Sequence, residues 1–272
     1  MARREGVIES MQARAPDRTS ASASGGEGMA VAGKKPRRVS DKPARSVARH
    51  ALRFLLGILI AVACVPLVLV PVYRFVDPPV STLMLRDMVR GQAYSRTWVD
   101  IDEMAPVLAH SVIVSEDARF CVHNGVDWGA IRVVVNDLRA GKTPRGASTI
   151  AMQTAKNLFL WPSRSYLRKA IEVPLAYYMD LVWPKRRLIE IYLNTVEWDD
   201  GVYGAEAASR HYFGRSAARL TRRQAALLAT ALPMPGIRNP GGPSRRHARV
   251  AGIVEKRARA AGPWVRCIGK RS

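Results

Sequence analysis

Three short segments of the chain combine residue types that could catalyse a reaction. The first, SEDARFCVHNGVD at 115–127, places Glu116 and Asp117 directly after an apolar stretch. A carboxylate at the end of a buried helix is desolvated, which raises its pKa and suits it to proton transfer. A solvated helix end would show the same sequence, and a lone His123 is more often a structural histidine than a ligand. This segment alone therefore does not identify a site.

The second segment, RGASTIAMQTAKNLFL at 145–160, places polar residues in an otherwise apolar stretch. These are Ser148, Thr149, Gln153, Lys156 and Asn157. Ser148 is predicted to cap the N-terminus of a helix. At about 100° per residue, Thr149, Gln153 and Lys156 then share one face, within roughly 40° of each other. Such a face could bind an oxyanion or a sugar, and an ordinary solvated face is the equal alternative.

The third segment, RSYLRKAIEV at 164–173, carries two cations and a carboxylate at helical spacing. Arg168 lies four residues before Glu172, and Lys169 lies three residues before it. A surface ion pair, which stabilises a helix by only a few tenths of a kcal/mol, would have the same spacing. Pro174 removes one helical hydrogen bond and is expected to kink the helix just past Glu172.

Several other kinds of site are absent from the sequence. NDLRAGKT at 136–143 ends like a phosphate-binding loop, but Asn136 stands where the first glycine is required. There is no H-E-x-x-H zinc motif and no G-x-S-x-G motif. The three cysteines form no C-x-x-C pair, so a zinc cluster is unsupported. Cys121 and Cys267 could pair, but we expect them to be unlinked.

The elements that must position these segments are mainly helical. Asp100 or Asp102 can cap a helix running towards Glu116, with one apolar stripe formed by Met104, Val107, Leu108 and Val112. Pro184 suits the first turn of a helix that ends near Asn194. No alternating strand pattern repeats, and the sequence predicts a mostly α domain.

A further helix start is marked by TRRQ at 221–224. Thr221 and Gln224 have the spacing of a capping box, and the apolar stretch AALLATAL follows them.

A membrane anchor is predicted at 54–73, where 20 consecutive residues carry no charge. Pro66 and Pro71 would kink this helix, which membrane helices tolerate. A buried core helix is the alternative. A cleaved signal is a second one, because AVAC at 61–64 loosely resembles a processing site. The apolar run continues for nine residues beyond it, which favours an uncleaved anchor.

The net charge of +21 is concentrated at the two ends of the chain. Residues 1–53 hold 12 Lys/Arg against 5 Asp/Glu, and residues 241–272 hold 9 against 1. We interpret 1–53 as a disordered basic tail and 241–272 as a basic C-terminal tail. The excess indicates anionic partners, such as nucleic acid, acidic lipids or phosphate groups. Eight Lys/Arg at 34–53 against three in the 20 residues after Tyr73 predict a cytoplasmic N-terminus.

Taken together, the segments resemble the peptidoglycan glycosyltransferases of the penicillin-binding protein class, in their monofunctional form. Five ordered motifs over residues 80–240 carry the resemblance, and as a set they are specific, whereas any one alone is weak. They are Glu116-Asp117, Phe120, His123, Gly125 and Asp127; Gly146, Ser148-Thr149-Ile150, Gln153 and Lys156-Asn157; Arg168-Lys169 with Glu172; LIEIYLN at 188–194; and GVYGAEAASRHYFG at 201–214 running to ALLATALP. The transpeptidase domain of the bifunctional relatives uses S-x-x-K, which is absent from this chain.

The resemblance implies a lysozyme-like α domain, at 75–240, behind the single N-terminal transmembrane helix. It implies polymerisation of lipid II on the outer face of the bacterial cytoplasmic membrane, with the catalytic domain periplasmic. The 4-hydroxyl of an incoming lipid II would attack the anomeric carbon of the growing glycan and displace its lipid diphosphate with inversion. The helical segment 128–141, with Trp128, Ile131, Val134 and Leu138, is either the family's membrane-facing lobe or a core helix.

The resemblance also implies roles for individual residues. Glu116 matches the general base, and Glu172 matches the second essential carboxylate near the departing diphosphate. Lys156, Arg168 and Lys169 match the cations that neutralise that leaving group. The remaining positions matched to substrate binding are Asp117, Phe120, His123, Ser148, Thr149, Gln153 and Asn157. A divalent cation, Mg²⁺ or Mn²⁺, often assists the family at the diphosphate, although nothing in the sequence requires a cofactor or a protein-held metal.

Two other functions remain as alternatives. A lysozyme-like hydrolase or lytic transglycosylase also uses a catalytic glutamate, but cleaving a neutral glycan gives no reason for cations around Glu172. A non-catalytic basic scaffold of the wall-synthesis machinery would be expected to have lost Glu116 or Glu172. Nucleic-acid binding is disfavoured because the charge flanks a predicted anchor and no reader motif is present. The expected partners are lipid II, the growing glycan, anionic lipids, and division or elongation proteins.

Met152 departs from the family pattern, which usually has two successive glutamines where this chain keeps only Gln153. At about 60° from Thr149 around the helix, Met152 is expected to border the polar face.

Overall fold

The computed structural model describes residue 33 and residues 42–143, 146–163 and 165–269. The chain divides into two units, residues 1–52 and 53–272. Most of the predicted N-terminal tail lies outside the described residues. The end of this tail, residues 42–53, is described and forms the first turns of a helix. Ala and Arg favour helix, and the apolar segment that follows continues it.

The first helix, α1, runs over Lys42–Tyr73 and contains both Pro66 and Pro71. Its segment Arg49–Tyr73 has a mean hydropathy of 2.9, and only 6% of the most apolar window is buried. That exposure excludes the alternative of a core helix. In the described part of the chain this is the one helix long and apolar enough to cross a membrane, as in a single-pass membrane protein.

The last turns of α1 are bonded to the rest of the 53–272 unit. Pro71 has no N–H, so the Leu67 carbonyl lacks its usual intrahelical donor. The Tyr178 hydroxyl donates to that oxygen at 3.0 Å. One turn further on, Trp183 Nε1 donates to the Val70 carbonyl at 2.6 Å.

The remaining elements are short helices with three very short strands. The α-helices are α2 (Thr82–Val89), α3 (Pro106–Glu116), α4 (Trp128–Arg139), α5 (Ile150–Phe159), α6 (Tyr166–Val182), α7 (Lys185–Thr195), α8 (Ala205–Phe213), α9 (Arg222–Ala231) and α10 (Arg245–Arg259). Two 3₁₀ helices cover Ala217–Arg219 and Gly262–Ile268. The prediction of a mainly α domain behind one N-terminal apolar helix is confirmed.

The strands β1 (Ser95–Arg96), β2 (Glu197–Asp199) and β3 (Val202–Tyr203) form one sheet in the order β1-β3-β2. β1 pairs with β3 in parallel, and β2 pairs with β3 antiparallel. Strands of two or three residues are too short to show an alternating pattern, so the sequence did not indicate them.

The core is built where α3 packs on α9 and α10, and where α5 packs on α6 and α7. α3 begins at Pro106, with Ala105 at the N-cap and no side-chain cap, so the predicted cap at Asp100 or Asp102 is wrong. Proline at the first helical position explains this start. The capping box of Thr221 and Gln224 at the start of α9 is confirmed. α7 starts after Pro184 and ends at Thr195, close to the predicted end.

The C-terminal segment is folded as far as residue 269, and the prediction of a basic tail after 240 is wrong there. α10 buries His247, Ala251 and Val254, and so presents an apolar stripe to α9 although its sequence is rich in arginine. A disulfide joins Cys121 to Cys267, with 5.5 Å between the two Cα atoms. The expectation of unlinked cysteines is also wrong, because the 3₁₀ helix after α10 returns the chain to the 117–127 segment. Residues 270–272 lie outside the described part.

α4 contains no buried residue, which excludes its interpretation as a core helix. Its exposed apolar side chains include Trp128, Val133 and Leu138, each more than half exposed. α6 continues through Pro174 to Val182 as one helix.

Candidate active site

Glu116 is the last residue of α3, and its carboxylate meets α5. Gln153 Nε2 donates to Glu116 Oε2 at 3.0 Å. The Tyr192 hydroxyl, on the buried side of α7, donates to Gln153 Oε1 at 3.0 Å. Tyr192 therefore fixes which end of the Gln153 amide faces the carboxylate.

Burial raises the pKa of Glu116. The hydrogen bond from Gln153 and the positive charge of Arg238 both act in the opposite direction. This is the desolvated carboxylate that the sequence predicted at the end of the helix, and it is suited to accepting a proton.

Asp117 follows Glu116 but is buried and points away from the open surface. Its carboxylate is hydrogen-bonded to His123 Nε2, at 2.8 and 3.0 Å from the two oxygens, and accepts the Ile150 backbone N–H at 3.0 Å. These bonds join the end of α3 to the first turn of α5. Asp117 and His123 thus hold Glu116 and Gln153 opposite each other.

Thr149, rather than Ser148, is the N-cap of α5. Its hydroxyl oxygen accepts the Met152 N–H at 3.2 Å, and its O–H donates to the Gly125 carbonyl at 2.6 Å. Gly125 has φ +74°, and a Cβ there would lie 2.4 Å from the Ala176 carbonyl oxygen. Only glycine fits this close approach of the loop to α6.

Phe120 is wholly buried, with Lys185 Nζ 4.8 Å from the centre of its ring. Lys185 also donates to the His123 carbonyl at 2.6 Å. The side chains of Phe120, His123 and Thr149 therefore support the site from behind and do not line its surface.

Glu172 lies on α6 and is buried, although it is charged. Arg168 Nη1 bonds Glu172 Oε1, and Lys169 Nζ donates to Oε2 at 2.6 Å. Lys169 Nζ also donates to Ser148 Oγ at 2.7 Å. The ion pairs predicted from the spacing are present, and Ser148 joins them across the loop before α5. Two cations on one buried carboxylate leave an excess positive charge here.

Lys156 adds a third cation near this cluster. Its Nζ has no hydrogen bond or ion pair with any residue that the structure describes, and burial together with Arg168 lowers its pKa. The pKa of Lys169 is lowered to about 8 by burial, with further contributions from Arg168 and Lys156. A dianionic group placed among these three cations would relieve their mutual repulsion.

Two residues of the second segment face inward. Asn157 is buried, with its Oδ1 unpartnered among the described residues, and its carbonyl accepts the Thr82 hydroxyl at 2.8 Å. Met152 is 1% exposed, so it belongs to the core and does not border the polar face as expected. Gln153 and Lys156 are the two α5 side chains that the structure brings to the surface facing Glu116 and Arg168.

Sequence reasoning missed four residues near the site. Tyr192 lay in a matched motif, but nothing in its spacing showed its contact with Gln153. Arg238 follows the last motif and was counted only as charge. Burial raises the pKa of Glu197, whose charge acts on Lys156. The Thr82 hydroxyl of α2 also donates to the Leu160 carbonyl, at 2.7 Å, and so ties the C-terminal end of α5 in place.

Comparison with known proteins assigns this arrangement to a family. A family model described as transglycosylase matches residues 83–258, which include all of these side chains except Thr82. The chain belongs to the transglycosylase family. The match extends through α10, in agreement with the folded C-terminal segment.

Relatives named biosynthetic peptidoglycan transglycosylase cover most of the chain. The relative from Rhizobium meliloti (strain 1021) is 53% identical over 222 residues, which are 81% of this chain and 94% of the relative. That from Brucella suis biovar 1 (strain 1330) is 54% identical over 215 residues, 78% of this chain and 96% of the relative. That from Agrobacterium fabrum (strain C58 / ATCC 33970) is 51% identical over 226 residues, 82% and 98% of the two chains.

The divalent cation expected at the diphosphate stays a prediction, and the side chains described around Glu172 offer no protein-held site for it. No three His, Cys, Asp or Glu side chains cluster in a metal-binding arrangement in the described ranges. Both oxygens of Glu172 already accept from cations. We therefore assign no step to a Mg²⁺ or Mn²⁺ ion.

Proposed function

We propose that this protein joins lipid II units into the glycan strands of peptidoglycan by inverting glycosyl transfer. The observation that carries the proposal is the pair of unlike carboxylates. Glu116 is desolvated and held by a neutral amide, whereas Glu172 is buried between Arg168 and Lys169. One is suited to take a proton, and the other organises cations for an anionic leaving group.

The residues divide the reaction between them. Glu116 accepts the proton of the acceptor 4-hydroxyl. At the same time the hydroxyl oxygen forms a bond to the anomeric carbon of the growing glycan. The bond from that carbon to the diphosphate oxygen breaks, and the lipid diphosphate leaves as an anion. Arg168, Lys169 and Lys156 stabilise the developing negative charge, as fixed cations in a water-poor site do. Attack on the face opposite the leaving group inverts the anomeric configuration.

A lysozyme-like hydrolase or lytic transglycosylase is the second candidate. It would act on a neutral glycan and would gain nothing from Arg168 and Lys169 on the buried Glu172, or from Lys156 near them. A non-catalytic scaffold is disfavoured because both carboxylates are present and partnered: Glu116 is hydrogen-bonded to Gln153, and Glu172 is paired with Arg168 and Lys169.

The proposed location is the inner membrane of a bacterium, with the N-terminus cytoplasmic and the catalytic domain periplasmic. The eight Lys/Arg at 34–53, before the uncharged segment 54–73, support this orientation. Lipid II and the growing glycan are membrane-borne, so the anchor keeps enzyme and substrate in one plane. Anionic lipids and division or elongation proteins are the further partners that we propose for the basic residues at the two ends of the chain, and nucleic acid is not among them.

The test is incubation of the detergent-solubilised full chain with lipid II, followed by separation of the products by length. We expect a ladder of lengthening glycan that is lost in Glu116→Gln and in Glu172→Gln. Asp137→Asn, on the exposed helix α4, is the matched control and should leave the ladder unchanged. Cleavage of preformed glycan without any polymerisation would reject the proposal.

A further inference from the structure

A cavity of about 320 Å³ lies between the loop after α9 and the start of α10. Two arginines, Arg238 and Arg246, line it, and no Asp or Glu does. Neither guanidinium has an ion pair with a carboxylate among the described residues. Two unpaired cations around one cavity favour an anionic ligand.

Arg238, on the wall of the cavity, lies near the carboxylate of the proposed base, Glu116. Arg238 Nη1 donates to the Thr230 carbonyl at 2.5 Å, and the Ser115 hydroxyl donates to the neighbouring Ala229 carbonyl at 3.4 Å. Arg238 and the Ser115-Glu116 end of α3 thus meet on one turn of α9. The electrostatic effect of Arg238 on Glu116 agrees with this closeness.

The rest of the cavity wall combines polar side chains, among them Asn239 and His247, with apolar ones. Asn239 Oδ1 accepts the N–H groups of Gly241 and Gly242, at 2.8 and 3.1 Å, which fixes the loop. Met234, Ile237 and Val250 contribute partly exposed apolar surface. The ligand that fits is a short chain with both apolar groups and carboxylates, which is the chemistry of a peptide.

We propose that this cavity, lined by Arg238 and Arg246, binds the carboxylates of the peptide carried by the glycan substrate. The inference rests on the proposed function, because its substrate, lipid II, is by the family resemblance a lipid-linked disaccharide that bears a pentapeptide. The donor-side cations lie on α5 and α6, whereas this cavity lies beside α9 and α10, the two helices that pack on α3. Guanidinium groups suit carboxylates because they bind them through two parallel hydrogen bonds.

The test compares lipid II with lipid II whose peptide carboxylates have all been amidated. For the unmodified chain we expect kcat/KM to fall about tenfold with the amidated substrate, the effect of losing one charge-assisted contact. Arg246→Gln should bring the ratio of the two values close to one. Arg249→Gln, exposed on the same helix but outside the cavity, should keep the tenfold ratio.

Mixed pairings identify which peptide is bound. A natural growing chain extended with amidated lipid II tests the acceptor's peptide, and the reverse pairing tests that of the growing chain. A loss in either pairing supports the inference, and equal rates in both overturn it. Absence of polymer from natural lipid II would reject the proposed function instead, so the two failures are distinguishable.

Discussion

Gln153 donates to Glu116 across 3.0 Å while its amide oxygen accepts from Tyr192. The carboxylate is thereby hydrogen-bonded in its ionised form in a place where burial favours the protonated form. The ionisation of the proposed base depends on this amide.

Replacing Gln153 by methionine keeps the length of the side chain but removes the donor. The pKa of Glu116 should rise, and because the base must be ionised, the acidic limb of the kcat/KM profile should move to higher pH. We expect a shift of about one pH unit, the order of one hydrogen bond to a charged group. Gln92→Met, at an exposed site, is the control. An unchanged acidic limb would contradict the role of the amide.

Lys169 should set the alkaline limb of the same profile. Its pKa is about 8, so its charge is present below that pH and is lost above it. Lys169→Arg keeps the charge, because guanidinium does not deprotonate in this range. The alkaline limb should then move upward, as measured by initial polymerisation rates between pH 6 and 10. The prediction fails if the limb stays in place.

Lys156→Ala should nearly abolish polymerisation, by about 10²- to 10³-fold in kcat, because it removes a fixed cation from the leaving-group side. Lys142→Ala, in the exposed turn after α4, provides the matched control. Near-normal turnover of Lys156→Ala would show that Lys156 does not stabilise the leaving diphosphate.

Met152→Gln tests a residue that the sequence misplaced. The buried position predicts lower stability, by about 1 to 3 kcal/mol for an amide without partners, and a modest change in activity below the unfolding transition. Thermal unfolding and turnover should be measured on one preparation. A rise in turnover by orders of magnitude would instead mark this chain as an impaired member of its family.

The helices and the charged residues of the site were predictable from the sequence. Which side chains of these helices are buried was not. The spacing of Arg168, Lys169 and Glu172 indicated their ion pairs because a helix converts spacing into distance. Helical spacing also put Thr149 on the same face as Gln153 and Lys156, but Thr149 caps the helix and turns inward. Whether Phe120 or Met152 faces ligand or core depends on packing between distant segments, which no local pattern records. The Cys121–Cys267 pair depends on such packing too.

Breaking that disulfide should destabilise the fold. Its cysteines are 146 residues apart. A link across so long a loop lowers the entropy of the unfolded chain and raises the free energy of unfolding by up to about 5 kcal/mol. Cys267→Ser should lower the urea midpoint of the detergent-solubilised protein, followed by tryptophan fluorescence. Cys64→Ser, which removes the exposed free cysteine, should not. Equal midpoints for the two variants would mean that the link is dispensable.

The bonds from Tyr178 to Leu67 and from Trp183 to Val70 have a mechanical consequence. A catalytic domain joined to its membrane helix by a flexible linker would sample many heights and tilts over the bilayer. Here α6, which carries Glu172, and the residue that follows it are hydrogen-bonded directly to the C-terminal end of α1. In the membrane orientation that we propose, the elevation of the proposed leaving-group cations over the lipid headgroups is therefore set in advance. Each lipid-borne diphosphate that arrives by lateral diffusion would meet them at one level.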